Sequence, residues 1–187
     1  YAFDYVNNKV LWAQNYKIPF RSNLKIQENK LIGVNQNNNL FFINKKDGLI
    51  IKSFPTEDNI VKNNFINNLS IENDDIFFLN TYGSLYSIDV RLMQINWFIN
   101  LNQALNLNLG NLFDGQPIIN NNKNIIIISD KYTYIIENVS GTIVKKKNFS
   151  SRIKPVLMKN YLFLVTKNNL LISLDTRNGE IIYSYDI

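Results

Sequence analysis

Residues 2–12 read Ala2-Phe3-Asp4-Tyr5-Val6-Asn7-Asn8-Lys9-Val10-Leu11-Trp12. A short apolar stretch ends on a carboxylate, a polar turn follows, and a large aromatic stands eight positions after the carboxylate. The phrase returns as Ile43-Asn44…Gly48…Lys52, Ser87-Ile88-Asp89…Trp97, Ile136-Glu137…Gly141…Lys145 and Ser173-Leu174-Asp175…Gly179-Glu180…Tyr183. The anchors Asp4, Asn44, Asp89, Glu137 and Asp175 lie 40, 45, 48 and 38 residues apart. Self-similarity at such a period marks a repeat architecture, in which each unit buries its face against the next.

The apolar stretches between these phrases are short, rich in Ile, Leu, Phe and Tyr, and punctuated by Asn, Asp, Gly and Pro. That is strand-and-turn grammar. A unit opens with an extended segment such as Pro117-Ile118-Ile119 or Pro155-Val156-Leu157. Its most apolar strand comes next: Leu31 to Val34, Ile76 to Leu79, Ile125 to Ile128, or Leu162 to Val165. The strand carrying the anchor follows, then a hairpin to a fourth strand ending near Trp12, Lys52, Trp97, Lys145 or Tyr183. The unbroken run Ile125-Ile126-Ile127-Ile128 has no polar alternation, so both faces of that strand need cover. Blades of a β-propeller, each wedged between two neighbours, supply it; a sandwich suits the period less well.

The expected fold is therefore all-β, a propeller of four-stranded antiparallel blades present as an incomplete arc of about four and a half. The expected division is a half blade at 1–16, blades at 17–57, 58–100, 113–149 and 150–187, and an inter-blade insertion at 101–112, all within one domain.

Each motif residue has a structural reading. The turn after the anchor needs a permissive backbone, which Gly48, Gly141 and Gly179 supply. The carboxylates of Asp4, Asp89 and Asp175 are placed to cap turn N–H groups. Trp12, Trp97 and Tyr183 fill the wedge where blades diverge toward the rim.

Composition narrows the chemistry. The chain has no Cys and no His. Disulfides, thiolate sites, His-based triads, His-ligated zinc and imidazole acid–base catalysis are absent from these residues. A net charge of +5 invites a nucleic-acid reading, but the cations are scattered and only Lys145-Lys146-Lys147 forms a run. No nucleic-acid partner is expected, although weak attraction to an anionic membrane surface remains open. Asn makes up roughly a sixth of the chain, far above ordinary usage. With abundant Ile and Lys, that points to an A/T-rich genome, and in turns Asn suits left-handed backbone. The tripeptides beginning at Asn68, Asn138 and Asn148 match the glycosylation pattern only at the rate such a composition produces. No apolar run approaches a membrane helix.

The phrase from Ala2 to Trp12 resembles the tryptophan-docking motif of the quinoprotein-like propeller repeat family, Ala-x-Asp-x-x-x-Gly-Lys-x-x-Trp. Asn8 stands in for its Gly; Ser173, Asp175, Gly179 and Tyr183 match it with two replacements; Ser87, Asp89 and Trp97 match at the ends while Met93 replaces the turn Gly. The units at Asn44 and Glu137 are degenerate and end in Lys.

The resemblance implies two branches. One is the propeller lipoprotein of the outer-membrane β-barrel assembly machinery, a periplasmic, non-catalytic scaffold without a cofactor that holds the barrel-inserting subunit's periplasmic domains. For it, the implied source is a Gram-negative bacterium. The only membrane link is then a lipid anchor on an N-terminus that, since Tyr1 opens inside a repeat, is expected outside the sequence. The other branch is the quinoprotein alcohol dehydrogenases, which carry pyrroloquinoline quinone and Ca²⁺ on oxygen ligands. The first is the expectation: no catalytic, cofactor-binding or metal residue is assigned.

The longest gap between anchors alternates Leu with Asn over part of its length, and Leu105, Leu107 and Leu109 are the candidate partner-binding residues. Arg21 and Arg152 flank first strands and are candidates to approach the central channel, while Arg91 and Arg177 fall in hairpin turns and are expected to be solvated.

Overall fold

The computed structural model describes residues 1–58, 67–102, 112–113, 115–151 and 153–187. Among them there is no helix. The strands are β1 (Ala2–Asp4), β2 (Lys9–Trp12), β3 (Lys25–Gln27), β4 (Lys30–Val34), β5 (Leu40–Asn44) and β6 (Ile50–Phe54). They continue as β7 (Asn68–Glu72), β8 (Asp75–Leu79), β9 (Ser84–Asp89), β10 (Gln94–Asn100), β11 (Ile119–Asn120) and β12 (Asn124–Ile128). The last are β13 (Thr133–Glu137), β14 (Ile143–Lys147), β15 (Val156–Met158), β16 (Tyr161–Val165), β17 (Leu170–Asp175) and β18 (Glu180–Asp186). They form one two-stranded sheet, β1-β2, and four four-stranded antiparallel sheets built from consecutive strands. The fold is all-β and of propeller type, with no closed sheet among the described residues.

Side-chain alternation explains how the sheets stack. In β8, Ile76 and Phe78 enter a core shared with Ile32, Val34, Leu40 and Phe42 of the preceding sheet. Phe77 and Leu79, on the opposite face, join Ile125, Ile127, Tyr134 and Ile136 of the following one. β12 repeats this: Ile126 and Ile128 turn the other way, toward Leu162, Leu164, Ile172 and Leu174. The four-isoleucine run is thus two core layers written on one strand, which is why it shows no polar alternation.

Each anchor hairpin carries a β-bulge at one place. Phe3 pairs with Val10 but Ala2 with Trp12, leaving Leu11 extra. Ile51, Asn96, Val144 and Ile182 are the extra residues in the other four hairpins. An added residue inverts the alternation beyond it. In the first four sheets this aims the eighth residue after the anchor at the next sheet, whereas Tyr183, in the last sheet, is exposed. The eighth residue faces Ala2, Ser87 or Ser173 where it is Trp12, Trp97 or Tyr183, and Phe42 or Ile135 where it is Lys52 or Lys145. An aromatic is opposed by a small side chain and a lysine by a large one, so volume is conserved across the pair.

Candidate functional site

The most regular constellation in the molecule joins neighbouring sheets at the anchor hairpins. The Trp12 indole lies against Gly48, where a Cβ would stand 2.5 Å from Cε3, and its Nε1 donates to the Lys45 carbonyl at 2.9 Å. Trp97 repeats this on Gly141, with Nε1 donating to Asn138 at 3.0 Å. Lys52 Nζ donates to the Met93 carbonyl at 2.7 Å, and the Lys145 chain covers Gly179. The docking surface of each turn is its fifth residue, counted from the anchor, and it is left-handed in all five hairpins: φ is 51° at Asn8, 74° at Gly48, 52° at Met93, 73° at Gly141 and 72° at Gly179. Met93 holds the glycine conformation without being glycine.

The anchors act on their own turns. Asp4 Oδ1 accepts from the N–H groups of Val6 and Asn7 at 3.0 and 3.1 Å, and Asp89 Oδ1 from Arg91 and Leu92 at 2.7 Å each. Asn44 and Asp175 cap Lys46 and Arg177 in the same way. Glu137, one methylene longer, takes the Ser140 hydroxyl instead. Hydrogen bonds from the Asn7 side chain and backbone hold the Asp4 carboxyl below the usual range; the Arg177 guanidinium does the same for Asp175. Arg177 and Arg91 are exposed yet paired rather than simply solvated: Arg177 forks its own anchor, and Arg91 reaches Asp74 at 2.9 Å.

At the opposite end of the sheets a polar seam joins the second and third units. Glu57 accepts from Asn80 Nδ2 at 2.5 Å, Ser84 Oγ at 2.7 Å and the Tyr86 hydroxyl at 3.1 Å. Its own carbonyl accepts from Asn38 Nδ2 at 3.0 Å, and fully buried Asn38 also donates to the Thr81 hydroxyl at 2.9 Å. Burial first, then the Glu57 charge and hydrogen bond, push the Tyr86 phenol up to about 12. The tight loops here carry a second periodic cap absent from the sequence reading. Asn35 accepts from Asn37 and Asn39, Asn80 from Tyr82 and Ser84, Ser129 from Lys131 and Tyr132, and Thr166 from Leu170. The available signal was a short polar residue eight or nine positions before every anchor in the whole units.

Leu105, Leu107 and Leu109 lie outside the described residues, as does Arg152. The flanks of that leucine segment are fixed on the loop after β8: Leu101 N–H donates to Gly83 and Phe113 N–H to Thr81, each at 2.8 Å. The Phe113 ring packs so closely that a Cβ on Gly83 would stand 2.7 Å from it. Arg21 is exposed, and its backbone bonds Val34 and Asn67 at the inner strands.

Stacked sheets, periodic bulges and side chains docked on left-handed turns define a quinoprotein-like repeat propeller. The chain belongs to the family described as outer membrane protein assembly factor BamB, whose model matches residues 1–185. In fold it is similar to BamB from Moraxella catarrhalis (TM-score 0.77, 12% identity), covering 98% of this chain and 56% of that one. It is also similar to the quinohemoprotein alcohol dehydrogenase ADHIIG from Pseudomonas putida HK5 (TM-score 0.70, 9% identity), covering 95% of this chain and 36% of that one. A computationally designed protein, Ika4, is similar at TM-score 0.63 and 7% identity over 96% of this chain and 98% of the designed one. The chain therefore spans 56% of the length of that BamB and 36% of that dehydrogenase. No curated protein sequence matches it significantly.

Proposed function

We propose that this chain is a non-catalytic propeller scaffold for protein–protein interaction in outer-membrane β-barrel assembly. It works on the periplasmic side of the outer membrane, tethered by a lipid anchor outside this sequence. The family match over residues 1–185 carries the reading. Four of the five anchors are spent on capping turns, so the repeat motif has a structural role in this chain. The partner is the barrel-inserting subunit's periplasmic domains. Leu105, Leu107 and Leu109 make the contact, on a segment whose flanks are fixed to Thr81 and Gly83. The test is the affinity of those domains for the chain and for a folded variant with all three leucines replaced by Ser. Weakened binding supports both statements, unchanged binding removes the leucine contact, and no binding to the parent chain removes the scaffold.

The likeness to quinohemoprotein alcohol dehydrogenases favours a second reading, part of a quinoprotein dehydrogenase. Pyrroloquinoline quinone and Ca²⁺ need converging oxygen ligands. Among the described residues no three Asp, Glu, His or Cys side chains converge to supply charged ligands for such a site. Saturable quenching of Trp12 and Trp97 fluorescence by the quinone with Ca²⁺ would favour the enzyme over the scaffold.

A further inference from the structure

The charges are not distributed evenly over the strands. Of the outermost strands of the first four sheets, β2 carries Lys9, β6 Lys52 and β14 Lys145, Lys146 and Lys147, β10 carries no charged residue, and none of the four carries an acidic one. Among the described residues the acids lie at the anchors, at Glu28, Asp47, Glu57, Asp58 and Asp130, in the β7–β8 hairpin at Glu72, Asp74 and Asp75, and on β18; of these, the Asp75 carboxylate reaches β10, where it accepts from Asn96 Nδ2 at 2.8 Å. Among the described residues none of these lysines makes an ion pair. Lys146 sits 4.0 Å over the Tyr132 ring and Lys52 bonds a backbone carbonyl, so no carboxylate among the described residues neutralises either cation.

The same strands expose aliphatic and aromatic surface. The bulge is the reason: it sets two apolar residues in tandem on the outer edge, Ile50-Ile51 and Ile143-Val144, where plain alternation would turn one of each pair inward. Ile51 and Val144 are each 42% exposed and Phe98 is 63% exposed. On β18 the equivalent pair Ile181-Ile182 lies in a strand bounded by Glu180 and Asp186, so the acid-free band ends at the fourth sheet.

We propose that this rim, centred on the β14 lysines with the exposed apolar side chains of β14 and neighbouring β10, docks peripherally on an anionic lipid surface. Lysines draw the rim to the headgroups and Phe98, Ile143 and Val144 enter the headgroup–acyl boundary, the division of labour of interfacial elements. A nucleic acid would use the lysines but leave the interleaved aliphatics without a role. The inference is independent of the scaffold reading, which a protein-binding assay reports.

The test is co-sedimentation of the 187-residue chain with vesicles of phosphatidylglycerol and phosphatidylcholine, against phosphatidylcholine alone. Binding to the anionic vesicles only is expected, lost at about 0.5 M salt, where exposed charges are screened. Replacing Lys146 and Lys147 with Gln should weaken it about thirtyfold, each charge acting near the surface. Phe98→Ser with Val144→Ser should weaken it while leaving the salt dependence intact. Lys145 is kept because it packs on Gly179, and circular dichroism establishes that every variant is folded. Equal binding to both vesicles, no binding, or unaffected variants would overturn the proposal; so would tighter binding to an oligonucleotide than to anionic vesicles at the same salt.

Discussion

The indole of Trp97 lies against Gly141 of the following sheet so closely that a Cβ there would stand 2.6 Å from Cε3. Gly141 is also left-handed at φ 73°, so Gly141→Ala meets two penalties, a backbone cost and a collision with a ring held by its own hydrogen bond. The expected loss is about 2–4 kcal/mol. Gly179→Ala has the same backbone cost but meets the Lys145 chain, which can move aside, so about 1–2 kcal/mol is expected. Urea unfolding at constant slope measures both. Equal losses would show that the ring contact contributes nothing.

The anchors separate in a similar way. Asp89 satisfies two turn N–H groups, whereas the Glu137 carboxylate receives only a neighbouring hydroxyl. Asp89→Ala should cost about 1 kcal/mol or more, the worth of a side-chain cap. Glu137→Ala should stay within about 0.5 kcal/mol, as for an exposed site without such a role. Thermal melts of the two variants decide it; a Glu137 variant as damaged as the Asp89 variant would contradict the hydrogen-bond assignment.

How much of this was legible follows from what a linear pattern can carry. The period, the strand grammar and the doubly covered run at Ile125 to Ile128 are properties of spacing, and the sequence shows them. The bulge beside Leu11 or Val144 leaves no residue signature, because it depends on which residues pair across the hairpin. The motif placed Met93 at the turn-glycine position, but glycine is the usual residue for a left-handed turn, and that this methionine accepts the same conformation shows only in φ. Asn enrichment obscured the rest. Asn8, Asn38, Asn73 and Asn169 take left-handed backbone, while Asn35 and Asn80 cap loops, roles that composition alone merges with background.

The degenerate unit offers a reconstruction. Lys52 docks on Met93, and a Cβ at that turn stands where Gly48 and Gly141 leave room for an indole. Lys52→Trp alone should destabilise by about 1–3 kcal/mol through overpacking. Adding Met93→Gly should recover at least half of that loss, despite the loss of Met93 packing against the core. A double-mutant cycle reads the coupling; purely additive effects would mean that the turn residue does not select the docking side chain.

The phenol of Tyr86 supplies a pH signature. Its folded-state value is raised from 10.0 to about 12, with burial the leading cause and Glu57 next. The folded state therefore keeps a proton that the unfolded chain releases. Stability from this group is complete below pH 10 and is lost as the pH rises toward about 12. Tyr16 and Tyr134 are raised too, both chiefly by burial, and add to the same alkaline slope. Tyr86→Phe should lower the melting temperature at neutral pH by removing the hydrogen bond to Glu57, yet flatten the decline above pH 10. Glu57→Gln removes the charge that opposes ionisation and should shift the remaining slope to lower pH. Melting curves at half-unit steps from pH 8 upward measure both effects, and a Tyr86→Phe slope identical to the parent's would show that this phenol is not coupled to folding.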